Sequence, residues 1–323
     1  MPENRIGAEH DSALDVDEQL LTRVAWYYYV GHLTQQQIAD RLNTHRGRIN
    51  RLLAAGRETG VVRIRIDSPL ADCVALEAGL VARYGLRQAV VVPAPDNADK
   101  HRVALGLGAG RYLTAALRDG QTVGIGWGQT LEHTLRALEA RTYRAMSVVS
   151  LQGGLSRCPI LNTFEIVFDF ANRLSADCYY FAAPIYAENE AARDLLLAQS
   201  AIRETYDRAR RADIAVLTAG NMVDSLVVNH GLHDPQDVTD LRAAGAVGDL
   251  LGHFIDAHGA RVAHPVNDRT TAVGLEDLRA LDHVVLISGG RGKFEVTRAA
   301  LRGGYANVLI TDEHNARQIL DAP

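Results

Sequence analysis

Side chains able to hydrogen-bond a nucleic acid are concentrated in a basic segment near the amino terminus. Arg, Asn and Gln are the residue types that contact base edges, and Arg also pairs with phosphate oxygens. Between Thr34 and Ile66 the chain has seven arginines against two acidic residues, a net charge of +5, whereas the whole chain has a formal charge of −5. The remaining residues therefore carry −10, and a basic segment in an acidic chain is typical of a local DNA-binding module. The candidate DNA contacts are Thr34, Gln35, His45, Arg46, Arg48, Asn50, Arg51, Arg63 and Arg65.

Hydrophobic spacing predicts two short helices that position these side chains. Apolar residues recur at intervals of three and four, at Ile38 and Leu42 and then at Ile49, Leu52 and Leu53. Thr34 and Gln37 have the spacing of a capping box, and Asn43 suits a left-handed residue between the helices. The pattern predicts a helix-turn-helix whose recognition helix spans about Arg46–Arg57.

Further elements are predicted on either side of this motif. Gly60 ends the recognition helix, and Val61–Ile66 alternates like a strand with Arg63 and Arg65 on one face, which predicts a wing. A supporting helix that ends near Gly31 is indicated by Leu21, Val24 and Tyr28. The alternative is a two-helix corner with a solvated basic face, and the charge distribution argues against it.

From about Val90 onward, apolar runs alternate with helical patterns. The predicted strands are Ala89–Val92, Thr122–Ile125, Met146–Leu151, Ile214–Thr218, His283–Ser288 and Val308–Thr311. The predicted helices are Val103–Leu117, Leu131–Ala140, Thr163–Leu174, Ala191–Ala209 and Phe294–Leu301. This alternation indicates an α/β fold, a doubly wound parallel sheet covered by helices on both faces.

Ligands of such sheets bind beyond the carboxyl ends of the strands. The loops expected there are Gly126–Thr130, Gln152–Leu155, Ala219–Asp224 with Asn221, and Gly289–Lys293. Glycine lets backbone amides approach an anion, and a following helix N-terminus adds favourable partial charge. Lys293 stands at such a position, although the chain has only two lysines. A phosphate or a cluster of polyol hydroxyls is the expected ligand; alternatively, the glycines only form tight turns and Lys293 is solvated.

Other chemistries have weaker support. The GIGWG run at 124–128 resembles a dinucleotide loop, but the next strand ends in Gln-Gly-Gly without the acid that a ribose requires. His230 and His233 have no third clustered metal ligand. We therefore predict no cofactor, no metal site and no enzymatic activity. An isomerase- or deaminase-like enzyme would need an acid or base on the second loop, where the chain has Gln152.

The organisation expected from these patterns has four parts. They are a disordered tail (1–14), a winged helix-turn-helix domain (15–67), a helical connection (68–88) and an effector-binding domain (89–323). The three cysteines lack pairing or metal-ligand spacing, and neither a signal peptide nor a membrane-length apolar run is evident. These features predict a soluble, cytoplasmic protein without membrane association.

From about Val16 to Leu320 the chain resembles the SorC-type sugar-binding transcriptional regulators of the DeoR superfamily. The segments that carry the resemblance are LTQQQIADRL, RINRLLAAGRETGVVRIRI, SPLADC, VGIGWGQTL, LQGGL, RRADIAVLTAG, GAVGDLLGHFIDAHG and SGGRGKFEVTRAALRGGYANVLITDE. The resemblance implies a winged helix-turn-helix, an effector domain similar to sugar-phosphate isomerases, and a homo-oligomer, a dimer or usually a tetramer. Its implied partners are double-stranded operator DNA and a small carbohydrate, polyol or sugar-phosphate effector.

The resemblance also implies which residues contact the effector. They are Gly126, Trp127, Gly128, Gln129 and Thr130 in a first loop, Gln152, Gly153 and Gly154 in a second, the phosphate-facing Lys293, and Asp249 and Arg269 near the pocket.

The chain departs from the family pattern in three places. His45-Arg46-Gly47 replaces a Ser-Arg-Pro-like start of the recognition helix, which leaves Thr44 as an alternative cap. The loop around Asn221 and the residues before Lys293 also differ, so an unphosphorylated sugar or polyol remains an alternative to a sugar phosphate. A nonspecific architectural DNA binder is a further alternative, but it gives the pocket loops no role.

Overall fold

The computed structural model of the chain describes residues 16–63, 70–95, 97–156 and 163–322. The chain divides into two units, Met1–Ser68 and Pro69–Pro323. The predicted disordered tail and Arg65 lie outside the described residues.

The amino-terminal unit contains three helices, α1 (Val16–Tyr29), α2 (Gln35–Arg41) and α3 (Arg46–Glu58). Their apolar stripes meet in one small core, in which Val24, Ile38 and Ile49 are fully buried. A capping box forms at Thr34, whose hydroxyl accepts from the Gln37 backbone while the Gln37 side chain accepts from the Thr34 backbone. Asn43 has a φ of 52°, in the left-handed region that the turn requires.

The predicted recognition helix corresponds to α3, which begins at Arg46. His45 and not Thr44 caps it, because the His45 Nδ1 accepts a hydrogen bond of 3.2 Å from the Arg48 backbone. Gly60 follows the helix with a φ of 76°, as expected for a helix terminator. Val61, Val62 and Arg63 do not form a strand, and residues 64–66 lie outside the described residues, so the wing stays a prediction.

The carboxyl-terminal unit is built on a parallel sheet. Its strands are β1 (Gln88–Val92), β2 (Thr122–Ile125), β3 (Ser147–Ser150), β4 (Asp177–Tyr179), β5 (Ile214–Asn221), β8 (Val284–Ile287) and β9 (Val308–Asp312), in the order β1-β9-β8-β5-β2-β3-β4. A hairpin of β6 (Ala246–Leu250) and β7 (His253–Asp256) pairs antiparallel with the end of β5. The predicted parallel α/β fold is confirmed, whereas β4, β6 and β7 were not predicted.

Helices cover both faces of this sheet. They are α4 (Ala71–Tyr84), α5 (Ala98–Ala116), α6 (Gln129–Ala137), α7 (Thr163–Leu174), α8 (Glu190–Ala198), α9 (Ser200–Ala209), α10 (Pro235–Ala243), α11 (Pro265–Asp268), α12 (Leu275–Ala280), α13 (Phe294–Arg302) and α14 (Glu313–Asp321). Side chains of β8 alternate between two cores: Val284 and Leu286 pack with α4, α13 and α14, and Val285 and Ile287 pack with α5, α6 and α7. This alternation produces the doubly wound architecture.

One helical prediction needs correction. The helix expected over Ala191–Ala209 is two helices, because Gln199 has extended backbone angles (φ −66°, ψ 130°) between α8 and α9. The predicted helical connection (68–88) contains α4, which packs on β1 and α14 inside the second unit.

Glycines of α5 allow a second helix to approach its backbone. A Cβ atom at Gly106 would lie 2.6 Å from the His133 carbonyl carbon, and one at Gly110 would lie 2.7 Å from that of Ala137. These distances are too short for any larger residue. The glycines of the GLGAG run at 106–110 therefore form a packing surface for α6.

Among the described residues, each helix is too short or too polar to cross a bilayer.

Candidate functional site

A cavity of about 700 Å³ lies at the carboxyl ends of β2, β5 and β8. This is the edge at which doubly wound sheets bind ligands. Its described walls are His101, Arg102, Leu105, Trp127, Gly128, Gln129, Thr130, Thr218, Ala219, Gly220, Asp224, Ser225, Leu226, Asn229, Asp249, Ile287, Ser288, Gly289, Gly290, Arg291 and Lys293. The structure thus brings together predicted residues from three separate segments: Trp127, Gly128, Gln129, Thr130, Asp249 and Lys293.

The first wall is the start of α6. Gly128 precedes the helix with a φ of 138°, and a Cβ there would lie 2.5 Å from the Thr218 hydroxyl oxygen. The same hydroxyl donates to the Trp127 carbonyl at 2.7 Å, which fixes the loop to β5. The N-cap residue Gly128 has no side chain with which to cap α6, and Gln129 and Thr130 line the cavity in its first turn. The helix therefore offers uncapped N–H groups and positive partial charge to a ligand.

The second wall is the glycine loop before α13. Gly290 and Gly292 have φ values of 88° and 75°, and the Gly290 N–H donates to the Asp312 carboxylate at 2.5 Å. This hydrogen bond connects the loop to Asp312, the last residue of β9. Lys293 then precedes α13, which also lacks a side-chain cap. Two helix N-termini consequently face one cavity, an arrangement suited to an anion or to clustered hydroxyls.

Lys293 supplies the ammonium group on this wall. Its Nζ donates to the Ala219 carbonyl at 2.8 Å, so the side chain lies across the end of β5. Burial lowers the pKa of Lys293 below its ordinary 10.5, while the nearby Asp249 and Asp224 oppose that shift.

Asp249 forms a polar floor with Ser225. The Ser225 hydroxyl donates to the Asp249 carboxylate at 2.7 Å, and the Gly252 N–H donates to its other oxygen at 3.1 Å. Asp249 is 3% exposed, and this burial raises its pKa above 3.8, although the hydrogen bonds and Lys293 act in the opposite direction.

The remaining predicted effector residues lie outside the cavity walls that the structure describes. Gly126 directly follows β2, and its N–H donates to the Val216 carbonyl of β5. Asn221 is not among the lining residues but supports them through hydrogen bonds. Its amide donates to the Gly292 carbonyl at 3.2 Å, and its oxygen accepts from the Val223 and Asp224 backbones. It therefore joins the β5 loop to the glycine loop.

The predicted second loop is directed elsewhere. Gln152 is fully buried and pairs with Ala272 in an antiparallel bridge, while the Gly153 N–H donates to the Thr271 carbonyl and the Gly154 N–H to that of Ala183. Arg269 is engaged in an ion pair of 2.8 Å with Asp237.

Several wall residues were missed by sequence reasoning. His101, Arg102 and Leu105 come from the start of α5, and Ser225, Leu226 and Asn229 follow β5. Nothing local in the sequence marks the α5 residues, because they reach the cavity through tertiary packing. Within the described ranges, no group of three His, Cys, Asp or Glu side chains is arranged to hold a metal.

The predicted DNA contacts in the amino-terminal unit are placed on its surface. His45, Arg46, Arg48, Asn50 and Arg51 are all exposed at or along α3. Thr34 is exposed and Gln35 half-buried at the start of α2, and Arg63 is exposed after α3. Arg46 donates through Nε to the Gln35 side chain at 3.2 Å, which joins the first turns of α2 and α3.

Comparisons with known proteins cover nearly the whole chain. Residues 68–321 match the family described as "Putative sugar-binding domain". The deoxyribonucleoside regulator of Bacillus subtilis (strain 168) is 34% identical over 309 residues, which cover 94% of this chain and 98% of that protein. The erythritol catabolism regulatory protein EryD of Brucella abortus (strain 2308) is 29% identical, covering 96% of this chain and 98% of EryD.

A solved structure agrees with these relatives. The full-length sorbitol operon regulator SorC from Klebsiella pneumoniae superposes with a TM-score of 0.73 at 25% identity, covering 94% of this chain and 99% of that one. Each of these three proteins is named as a regulator, so the enzyme alternative is not favoured. The chain belongs to the SorC/DeoR-type family of sugar-binding transcriptional regulators.

Proposed function

We propose that the chain regulates a carbohydrate or polyol catabolic operon in the cytoplasm, binding operator DNA through α3 and a sugar, polyol or sugar phosphate in the cavity. The observation that carries the proposal is the convergence of Lys293, the Ser225–Asp249 pair and two uncapped helix N-termini on one space of about 700 Å³. Cavities of this size hold small metabolites.

The DNA half of the proposal rests on exposure and charge. Arg48, Asn50 and Arg51 lie on the exposed side of α3, whereas Ile49 and Leu53 of the same helix are buried. We assign base and phosphate contacts to these side chains and to Arg46, and a phosphate contact to Arg63. Two copies in a homo-oligomer, a dimer or tetramer, would read half-sites separated by about one helical turn or a multiple of it.

The effector half rests on the chemistry of the walls. Lys293, Arg102 and Arg291 surround a cavity that also contains Asp224 and Asp249. The cations and helix N-termini favour a phosphate or a hydroxyl cluster, and the carboxylates accept hydrogen bonds from hydroxyls. Three related proteins, a deoxyribonucleoside regulator, an erythritol catabolism regulator and a sorbitol operon regulator, support the same ligand class.

The effector changes DNA affinity only as far as it prefers one arrangement of the protein over another. The proposal therefore requires a measurable coupling between the two ligands, typically about 1–3 kcal/mol, or roughly 5- to 150-fold in affinity.

Fluorescence anisotropy with DNA from upstream of its own gene tests the proposal. The wild-type chain should bind one segment specifically, and at least one of erythritol, sorbitol, 2-deoxyribose and 2-deoxyribose 5-phosphate should shift that affinity. Absence of a specific segment, or indifference of DNA binding to every ligand tested, would refute it.

Variants separate specific recognition from general charge. Arg51→Ala should weaken specific binding by about 1–3 kcal/mol, because it removes a contact at the DNA surface. Arg23→Ala is the matched control, since Arg23 is also an exposed arginine of the same unit but lies on α1.

A further inference from the structure

His101 is a largely buried polar side chain of the cavity wall, and its Nδ1 makes no hydrogen bond. It lies in the first turn of α5, its side chain is 17% exposed, and its Nδ1 is buried without a hydrogen-bond partner. The Asp312 carboxylate faces this nitrogen, with 3.9 Å between Nδ1 and Oδ2. This distance is about 1 Å beyond a hydrogen bond.

Asp312 lies behind the glycine loop and is held firmly. It is fully buried, its Oδ1 accepts from the Asn315 backbone at 3.0 Å, and its Oδ2 accepts from Gly290 at 2.5 Å. A carboxylate oxygen can accept a second hydrogen bond, so Oδ2 can also receive a proton donor from α5. The neighbour that can supply one is the Nδ1–H of His101.

An imidazole that directs its proton at Nδ1 toward a carboxylate presents Nε2 as an acceptor. His101 lines the same cavity as Lys293 but comes from a different element, α5. Beside the cations Lys293, Arg102 and Arg291 and the helix N-termini, the cavity wall therefore offers at His101 an acceptor that suits a neutral hydroxyl.

We propose that His101 is an effector-specificity residue that accepts a hydrogen bond through Nε2 from a hydroxyl group of the sugar or polyol, with Asp312 orienting the ring through Nδ1–H. This inference rests on the proposed function and adds to it a residue that reads the hydroxyl part of the effector. Binding would also shorten the Nδ1–Oδ2 distance and draw the start of α5 toward the Gly290 loop.

The test is isothermal titration calorimetry on the full chain with the tightest-binding member of the panel erythritol, sorbitol, 2-deoxyribose and 2-deoxyribose 5-phosphate. His101→Leu should weaken binding about tenfold, because it removes one buried hydrogen bond. His101→Gln places an acceptor near the Nε2 position and should retain most of the affinity. His101→Asn places its amide near the Nδ1 position and should lose affinity as His101→Leu does.

Two controls keep the outcomes distinct. Inorganic phosphate should bind wild type and His101→Leu alike, whereas Lys293→Met should weaken it. His258→Leu, which alters an exposed histidine of the β7 turn outside the cavity, should match wild type throughout.

Equal binding of the panel ligand by wild type and His101→Leu overturns the inference and leaves the proposed function standing. The Nε2 assignment is wrong if His101→Gln loses as much ligand affinity as His101→Leu. It is also wrong if His101→Leu loses phosphate binding. A wild-type chain that binds no panel member refutes the proposed function and this inference together. Retained phosphate binding by His101→Leu shows that the unit containing the cavity is folded.

Discussion

Replacing Lys293 with methionine tests the anionic part of the cavity most directly. The substitution keeps the length and apolar character of the stem and removes the ammonium that now lies 2.8 Å from the Ala219 carbonyl. A ligand phosphate positioned by the N-termini of α6 and α13 would lose a hydrogen bond to a charged donor, about 1.5–3 kcal/mol. That loss corresponds to roughly 10- to 150-fold in Kd.

A phosphorylated and an unphosphorylated ligand of the same carbon skeleton distinguish charge from shape. We expect Lys293→Met to weaken 2-deoxyribose 5-phosphate by the amount above and 2-deoxyribose by less than about fivefold, as measured by calorimetry. Lys100→Met is the matched control, because the other lysine of the chain is exposed and lies outside the cavity. If the wild type binds the phosphate ester no better than Lys293→Met does, Lys293 does not bind the phosphate of the ligand.

Two further substitutions test the framework of the carboxyl-terminal unit. Gly106→Ala should lower its thermal stability by about 1–3 kcal/mol, since the new Cβ would lie 2.6 Å from the His133 carbonyl carbon; a variant as stable as wild type would refute the backbone contact between α5 and α6. His253→Leu should make the free energy of unfolding less sensitive to acid. Burial lowers the pKa of His253 from 6.5 to about 4, so between these pH values the unfolded chain binds more protons than the folded one. The stability of the wild type therefore falls as the pH falls through this range. Urea unfolding at about pH 7 and about pH 4.5 should show a wild-type loss greater by about 2–3 kcal/mol than that of His253→Leu, and equal losses would refute the assignment.

The helix-turn-helix was predictable because its determinants are local. The capping box at Thr34, the left-handed Asn43 and the three- and four-residue spacing around Ile49 all act within a few residues along the chain. The main strands were predictable for a similar reason. A strand buried on both faces is a continuous apolar run, as Val284–Ile287 shows.

The β6–β7 hairpin escaped prediction because of its turn. Leu251 and Gly252 both have positive φ values, 52° and 83°, which is the conformation of a tight two-residue hairpin. Asn-Gly or Asp-Gly usually signals such a turn, whereas leucine rarely adopts this conformation. Leu251 is 2% exposed and lies in the main core, so burial of its side chain offsets the backbone cost.

Local pattern was most informative where one loop both leaves a strand and starts a helix, whereas Asp249 within β6 was expected only from the family resemblance. Gly128 and Lys293 meet that condition, and their neighbours line the cavity. The loop at Gln152 does not, because its backbone pairs with Thr271 and Ala272, more than a hundred residues away. His101 enters the cavity through the packing of α5, which has no local sequence signal.

The glycine-mediated approach of α6 to α5 has a mechanical consequence. Gly106 and Gly110 place no side chain between the two backbones, so α5 and α6 are in direct contact. A shift of one helix is therefore expected to displace the other. A displacement of α6 by a ligand bound at Gln129 would therefore also displace α5, a helix of 19 residues and roughly 28 Å. Its second half carries the exposed residues Leu107 and Arg111, so a shift of α5 would alter a solvent-facing surface away from the described cavity walls.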